Sequence, residues 1–294
     1  ALSNEQKAFV LASQTEQVKF QGGKWNTFYF KPMHEVFYSH KLMPPGIEQK
    51  VQFSFQPPSY YLNAVGVQGK DLHKDDFSMK FFMCVVMVDP PLYKQIVAAR
   101  HTQRQNVKMA TIRSECRIFN LPANVRDFNE GNLFQGRIPQ RIVVGLLHPN
   151  ALNGAYAFPP FAFQNFGVQT IKQLIKGEEY PYRTLELDHD SNEKDMGGYF
   201  RFLEAGGFLA RVGASMITPG MWGDGRNCTL FVFDNTASGN LDGPFMNPKQ
   251  RGEVRLIFQL GANINHAISV CVYAQFEAVL ATDPNGAVLY DIYD

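Results

Sequence analysis

The sequence predicts an all-β chain: a jelly-roll sandwich whose second roll is complete and whose first is partial, with one short helix between strands. Three observations carry this. Apolar residues recur with period two along most of the chain, the pattern of strands with one face toward a core. Helical periodicity is confined to two stretches. Finally, 17 Pro and 24 Gly, with Asn and Asp, interrupt the apolar runs at turn positions.

Lys24 to Phe30 is the first strand candidate. Ile47, Gln49, Val51, Phe53 and Phe55 then alternate with Glu48, Lys50, Gln52, Ser54 and Gln56, which predicts a half-buried strand. Phe77 to Val88 follows as a third. Asp89-Pro90-Pro91 caps and opens a helix through Arg104, with Leu92, Tyr93, Ile96 and Val97 on one face, because Pro is tolerated in a first helical turn. Val107 to Phe119, Arg141 to Leu147, Val168 to Ile175, Arg183 to Leu187 and Cys228 to Asp234 are strands rich in β-branched or aromatic residues. Tyr199 to Ala210 is the second helical stretch, weakened by Gly206-Gly207. Val254, Leu256 and Phe258 alternate toward the core, and Ile268 to Leu280 repeats the pattern after a turn region at 261–265. The loop-rich stretch from Asn120 to Gly136 divides the chain into residues 1–125, a partial first roll with the connecting helix, and residues 126–294, the second roll.

Composition bounds the function. The chain has 294 residues, 45% hydrophobic and 19% charged, which is a folded composition rather than a disordered one. With 28 Lys plus Arg against 27 Asp plus Glu, it lacks the charge of a dedicated nucleic-acid binder, so contact with nucleic acid is at most local. The longest apolar run, Phe81 to Val88, is far short of the roughly 20 residues that cross a bilayer, and no membrane span is expected. Cys84, Cys116, Cys228 and Cys271 lie far apart with no CxxC pair, which predicts buried free thiols rather than a disulfide framework or a zinc site.

No motif specifies catalysis. The nearest approach to a nucleophile elbow is Gly213-Ala-Ser215-Met-Ile, and neither a P-loop nor a dinucleotide fingerprint occurs. His34, Glu35 and His40 lack the spacing of a cupin-type metal set. Asp188 to Glu193 begins like a calcium loop but puts Glu193 where Gly is needed and Tyr199 where a bidentate Glu is needed, so it reads as a solvated acidic loop. The turn Gly220-Met-Trp222-Gly-Asp224-Gly-Arg226 is the candidate ligand or interface loop, with Trp222 as a stacking platform beside Asp224 and Arg226. Arg100, His101, Arg104 and Lys108 form the densest basic stretch. Cations at a helix C-terminus satisfy its dipole, and the same patch suits nucleic acid inside a particle. No catalytic, metal or cofactor residue is expected.

The segment Asn132 to Leu147 (NLFQGRIPQRIVVGLL), followed by Ala151-Leu-Asn-Gly154 and Pro160-Phe161-Ala-Phe163, resembles the hexon-like major capsid proteins of Polinton or Maverick elements. Further matches keep the family's order: Glu179-Tyr-Pro181, Leu230 to Asp234, Gly252 to Leu256 and Val272 to Glu277. Upstream, Met33 to Phe37, Ile47 to Phe55 and Tyr61-Leu62 are similar to the end of the family's first jelly roll. Val86 to Asp89 with Lys108 to Thr111 is similar to the link into the second. The family's extension after the Phe-Asp strand end is replaced here by 235–239, and the segment before Phe30 is shorter than the family's first half-roll.

The resemblance implies a double jelly-roll, non-enzymatic subunit located in the virion. It would trimerise into pseudo-hexameric capsomers, with further copies, minor capsid proteins or a separate N-terminal fragment as partners. The alternative is a jelly-roll spike that binds carbohydrate or a receptor, or a domesticated host protein, resting on Trp222, Tyr60 and Tyr61.

Overall fold

A computed structural model describes residues 50–54, 56–57, 60, 78–103, 106–155, 158–188, 192–209, 215–223, 227–239, 241, 247–285 and 287–290. Helix α1 (Pro90–Gln103) starts where the sequence places it, with Pro in the first turn and the Tyr93 amide donating to the Asp89 carbonyl at 2.9 Å. Strand β1 (Val107–Leu121) follows.

The rest is an antiparallel sandwich. One sheet has the order β1-β11-β4-β8, where β4 is Arg141–Leu147, β8 is Leu230–Asp234 and β11 is Ile268–Thr282. Strand β12 (Val288–Tyr290) adds to β11. The facing sheet has the order β2-β10-β5-β6, where β2 is Asp127–Glu130, β5 is Val168–Ile175, β6 is Glu178–Glu179 and β10 is Val254–Leu260. Strand β7 (Leu185–Glu186) also pairs with β5. A small ladder of β3 (Arg137–Ile138) and β9 (Gln250–Arg251) closes one end. Successive long strands alternate between the sheets, which is the topology of a jelly roll. Strands β10 and β11 belong to opposite sheets, so 261–267 crosses between layers rather than closing a hairpin.

The core lies between the sheets and follows period two. Ile142, Val144 and Leu146 of β4 and Phe231 and Phe233 of β8 face Val254, Leu256, Phe258 and Leu260 of β10, all buried. Each such side chain contributes on the order of 1.5–3 kcal/mol on leaving water. Gly145 sits on the outer face of β4 because Phe163 lies across it: a Cβ there would be 2.4 Å from the ring.

Several expectations change. Residues 51–54 and 78–88 are exposed and form no strand; Val51 and Phe53 are 42% and 38% exposed. Alternation decides which face a residue takes once a strand is paired, but a ladder also needs a neighbouring edge, and none pairs with these segments among the described residues. The candidate at Lys24 to Phe30 lies outside the described residues. Strand β1 pairs with β11 over its full length, from Val107 opposite Thr282 to Leu121 opposite Ile268, so 107–121 belongs to the sandwich that the sequence reading began at residue 126. The loop-rich 120–136 contains β2, which is four residues long and buries only Phe128.

The second helix, α3 (Asn192–Ala205), starts seven residues before Tyr199 and stops at Gly206-Gly207. Gly207 has φ +76°, and the Phe208 amide donates to the Leu203 carbonyl at 2.9 Å, a left-handed close that glycine permits. A four-residue turn, α2 (Pro149–Leu152), and a five-residue one, α4 (Pro219–Gly223), complete the elements among the described residues.

Candidate functional site

Strand β1 carries Arg113, Glu115 and Arg117 at period two, on the face that also carries the buried Met109 and Leu121. Arg137 reaches the same carboxylate from β3. Glu115 Oε1 lies 3.0 Å from Arg113 Nη2 and 3.3 Å from Arg137 Nη2, and its Oε2 lies 3.7 Å from Arg117 Nη2. The Arg117 guanidinium sits 5.5 Å over the Phe134 ring and Arg137 5.5 Å over Phe276. Those two rings pack edge to face at 5.5 Å. Arg117 and Arg137 therefore have fixed planes on an aromatic floor.

A cleft of about 630 Å³ opens beside this cluster, lined by Arg113, Arg137, Lys249, Arg251 and Glu277 among others. Its base is polar and already bonded. The Asn235 side chain donates to the Pro139 carbonyl at 3.0 Å and accepts from Gln173 Nε2 at 2.6 Å, while the Thr236 hydroxyl donates to Asp234 Oδ1 at 2.6 Å. The Gln140 amide donates to Glu277 at 2.9 Å. The rim of the cleft carries Arg113, Arg137, Lys249 and Arg251.

Of the basic stretch expected from the sequence, Lys108 and His101 are exposed, on β1 and α1. Arg100 lies in α1, and Arg104 lies outside the described residues. The sequence reading missed Arg113, Arg117, Arg137, Lys249 and Arg251. An available signal was Arg-x-Glu-x-Arg at 113–117, which places three charges on one face of a strand.

Trp222 is not an exposed platform. Its indole is fully buried under α3, donates from Nε1 to the Leu230 carbonyl at 2.9 Å, and packs edge-on against Phe231 and Tyr199. Asp224 and Arg226 lie outside the described residues, as do His34, Glu35, His40 and Tyr61; Tyr60 is half-buried. The acidic stretch is part helix: Asn192 and Glu193 open α3, where negative charge suits the N-terminus. Both it and the Gly-rich turn belong to the β7–β8 connection. Because β8 enters at Leu230 and ends at Asp234 beside Arg141, that connection lies at the end of the sandwich opposite the cleft. Among the described residues, no group of three His, Cys, Asp or Glu is placed to hold a metal.

The cysteines are free but not buried. Cys84 and Cys116 are exposed, and Cys228 and Cys271 are half-buried, because β1 and β11 carry 116 and 271 on the outer face of their sheet. Burial, then the charge of Cys116, pushes the Cys271 thiol up to about 11. Ile118 and Tyr273 share that outer face, 56% and 36% exposed. At its rim Pro57 and Tyr60 approach Ile118 and Leu152 around a smaller cavity of about 320 Å³.

The strand order defines the class of protein as an antiparallel jelly-roll sandwich. No protein-family model matches the chain. It is 26% identical over 183 residues, 62% of its length, to an uncharacterized protein of Caenorhabditis elegans, and spans 43% of that protein. Among solved structures it is similar to the PBCV-1 virus capsid, with TM-score 0.39 and 11% identity, over 70% of this chain and 55% of that one. It is also similar to the mavirus major capsid protein, with TM-score 0.34 and 12% identity, over 63% of this chain and 41% of that one. A third likeness is to the Sputnik virophage, with TM-score 0.35 and 8% identity, over 63% of this chain and 38% of that one.

Proposed function

We propose that the chain is a structural, non-enzymatic subunit of an icosahedral shell, the capsid of a virus or of a virus-derived transposon of the Polinton or Maverick kind. It assembles as trimeric, pseudo-hexameric capsomers and resides in the virion, with other copies of itself as its principal partners. The observation that carries this reading is where the family-like segments fall in the jelly roll. Asn132 to Leu147 supplies β3 and β4, Leu230 to Asp234 is β8, Gly252 to Leu256 enters β10, and Val272 to Glu277 is the middle of β11. Four of the resembling segments thus fall in strands that build the sandwich, while Ala151–Gly154 and Pro160–Phe163 fall in its connections.

A second support is the surface. β1 is 15 residues long and, among the described residues, pairs along one edge only. Such an edge recruits another chain unless it is covered. The reading of a glycan- or receptor-binding roll loses its main feature with the burial of Trp222. Negative-stain electron microscopy of the expressed chain under assembly conditions tests the proposal: three-fold rings or shells are expected, and monomers under every condition would overturn it.

A further inference from the structure

We propose that Cys116 and Cys271 form a dithiol site, on the outer face of the β1-β11-β4-β8 sheet, that takes a two-coordinate soft cation of the Cu(I) kind. The site stands on the register of the sheet and does not require the shell reading. Cys116 lies opposite Tyr273 and Cys271 opposite Ile118. The two thiols are therefore diagonal neighbours on adjacent strands, and both stand on the same face. Both are free; Cys116 is exposed and Cys271 half-buried. After burial, the charge of Cys116 is the second influence raising the Cys271 thiol, so the two sulfurs lie within electrostatic reach of each other.

The spacing selects the ligand. A disulfide needs Cβ atoms about 3.5–4.5 Å apart, whereas diagonal Cβ atoms across an antiparallel pair are somewhat less than about 7–8 Å apart. Two metal–sulfur bonds of about 2.3 Å span about 4.6 Å, a gap that thiolates reaching toward each other from such positions can bracket. A four-coordinate zinc needs further ligands, and among the described residues no group of three His, Cys, Asp or Glu is placed to hold a metal. A soft cation held by two thiolates needs none. The surroundings agree with that choice. On its other side Cys271 pairs with Gly145, across which the Phe163 ring lies. With Ile118 and the Tyr273 ring as cross-strand neighbours, the border is apolar, which suits a soft ion better than a hydrated hard one. The Tyr273 hydroxyl is bonded to the Ser114 hydroxyl at 2.7 Å, and the exposed Cys116 gives the ion its way in. As the ion binds, each thiol gives its proton to the buffer and forms a sulfur–metal bond, and no electron changes hands.

The test is an anaerobic titration of the full chain with the coloured Cu(I)–bicinchoninate complex, kept reduced with ascorbate, in which bleaching reports transfer of copper to the protein. Wild type is expected to take up one equivalent, and X-ray absorption at the copper edge to show two sulfur neighbours. Cys116→Ser and Cys271→Ser should each lose that equivalent, while the control, Cys84→Ser with Cys228→Ser, keeps it. No transfer to wild type, or retention by either single variant, would overturn the site. Loss in the control would move the binding to the other two thiols and overturn it as well, and uptake of half an equivalent would replace it with a bridge between two copies. Thermal melts check folding, and should Cys271→Ser unfold, Cys116→Ser decides the question, because that residue is exposed. Failure here leaves the microscopy of the shell proposal untouched, and the converse holds.

Discussion

Phe258 stacks on Phe128 across β10 and β2, with ring centroids 4.7 Å apart and planes 14° apart, and both are buried. Truncating it leaves a cavity between the sheets. Phe258→Ala is therefore expected to cost on the order of 3–5 kcal/mol, and urea denaturation showing less than about 1 kcal/mol would place the ring outside the core. His148 is a different kind of residue. Its Nδ1 accepts from the Asn150 amide at 3.2 Å, capping α2, and its ring stacks between Phe158 and His266, with centroids at 4.5 and 4.8 Å. Burial, then the neighbouring charge of His266, lowers its pKa below the usual histidine value of 6.5. The unfolded chain therefore takes up the proton first. The stabilising contribution is whole above that ordinary value and is lost as pH falls through the lowered one. Thermal melts between pH 7.5 and 5 should show this loss, and His148→Asn, which keeps a cap acceptor but cannot titrate, should reduce it. Identical acid slopes in the two proteins would exclude the histidine as the source.

Helix α3 is held by a missing side chain. A Cβ on Gly198 would lie 2.4 Å from Trp222 Cη2 and 2.7 Å from Leu187 Cδ2, whereas one on Gly197 would meet nothing within 4 Å. Alanine gains about 1 kcal/mol of helix propensity over glycine at either position. Gly197→Ala should therefore stabilise by up to about that amount. Gly198→Ala should lose on the order of 1–3 kcal/mol to overpacking, and equal denaturation midpoints for the two variants would contradict this packing of α3 on Trp222. The pair also explains what the sequence could not convey. Strands β10 and β11 were legible because a buried face and an open face alternate over seven and fifteen residues. Helix α1 was legible because Asp-Pro-Pro opens it. Helix α3 shows no clean apolar stripe over its first turns, since Gly198 rather than a large side chain makes the contact. Its beginning therefore reads, in sequence, as an acidic loop. Trp222 sits in a five-residue turn too short for any period, so its burial depends wholly on α3 arriving above it. The basic cluster was missed for a related reason: Arg137, Lys249 and Arg251 are far from Arg113 in sequence and meet only through the β3–β9 ladder.

At the scale of the molecule, the question is what covers the exposed apolar surface. Phe81 to Val88 is eight consecutive apolar residues, with Phe82 80%, Val85 73% and Met87 95% exposed. Ile118 and Tyr273 add an apolar strip on the outer face of the β1 sheet, next to the 15-residue edge of β1. A run of exposed β-prone apolar residues without proline, like an open strand edge, is what soluble chains bury or lose to aggregation. A closed ring buries it without growing filaments, because each copy offers one patch and accepts another until the rotation closes. Sedimentation of the chain at micromolar concentration is therefore expected to give a discrete species of three copies. Phe82→Lys with Met87→Lys should shift it toward monomer while leaving the melting of the sandwich unchanged, since neither residue contributes to the core between the sheets. A wild-type chain that stays monomeric with no second polypeptide bound would refute the trimer. An assembly indifferent to both lysines would place the contact elsewhere, on the β1 edge, where Ile118→Lys becomes the deciding variant.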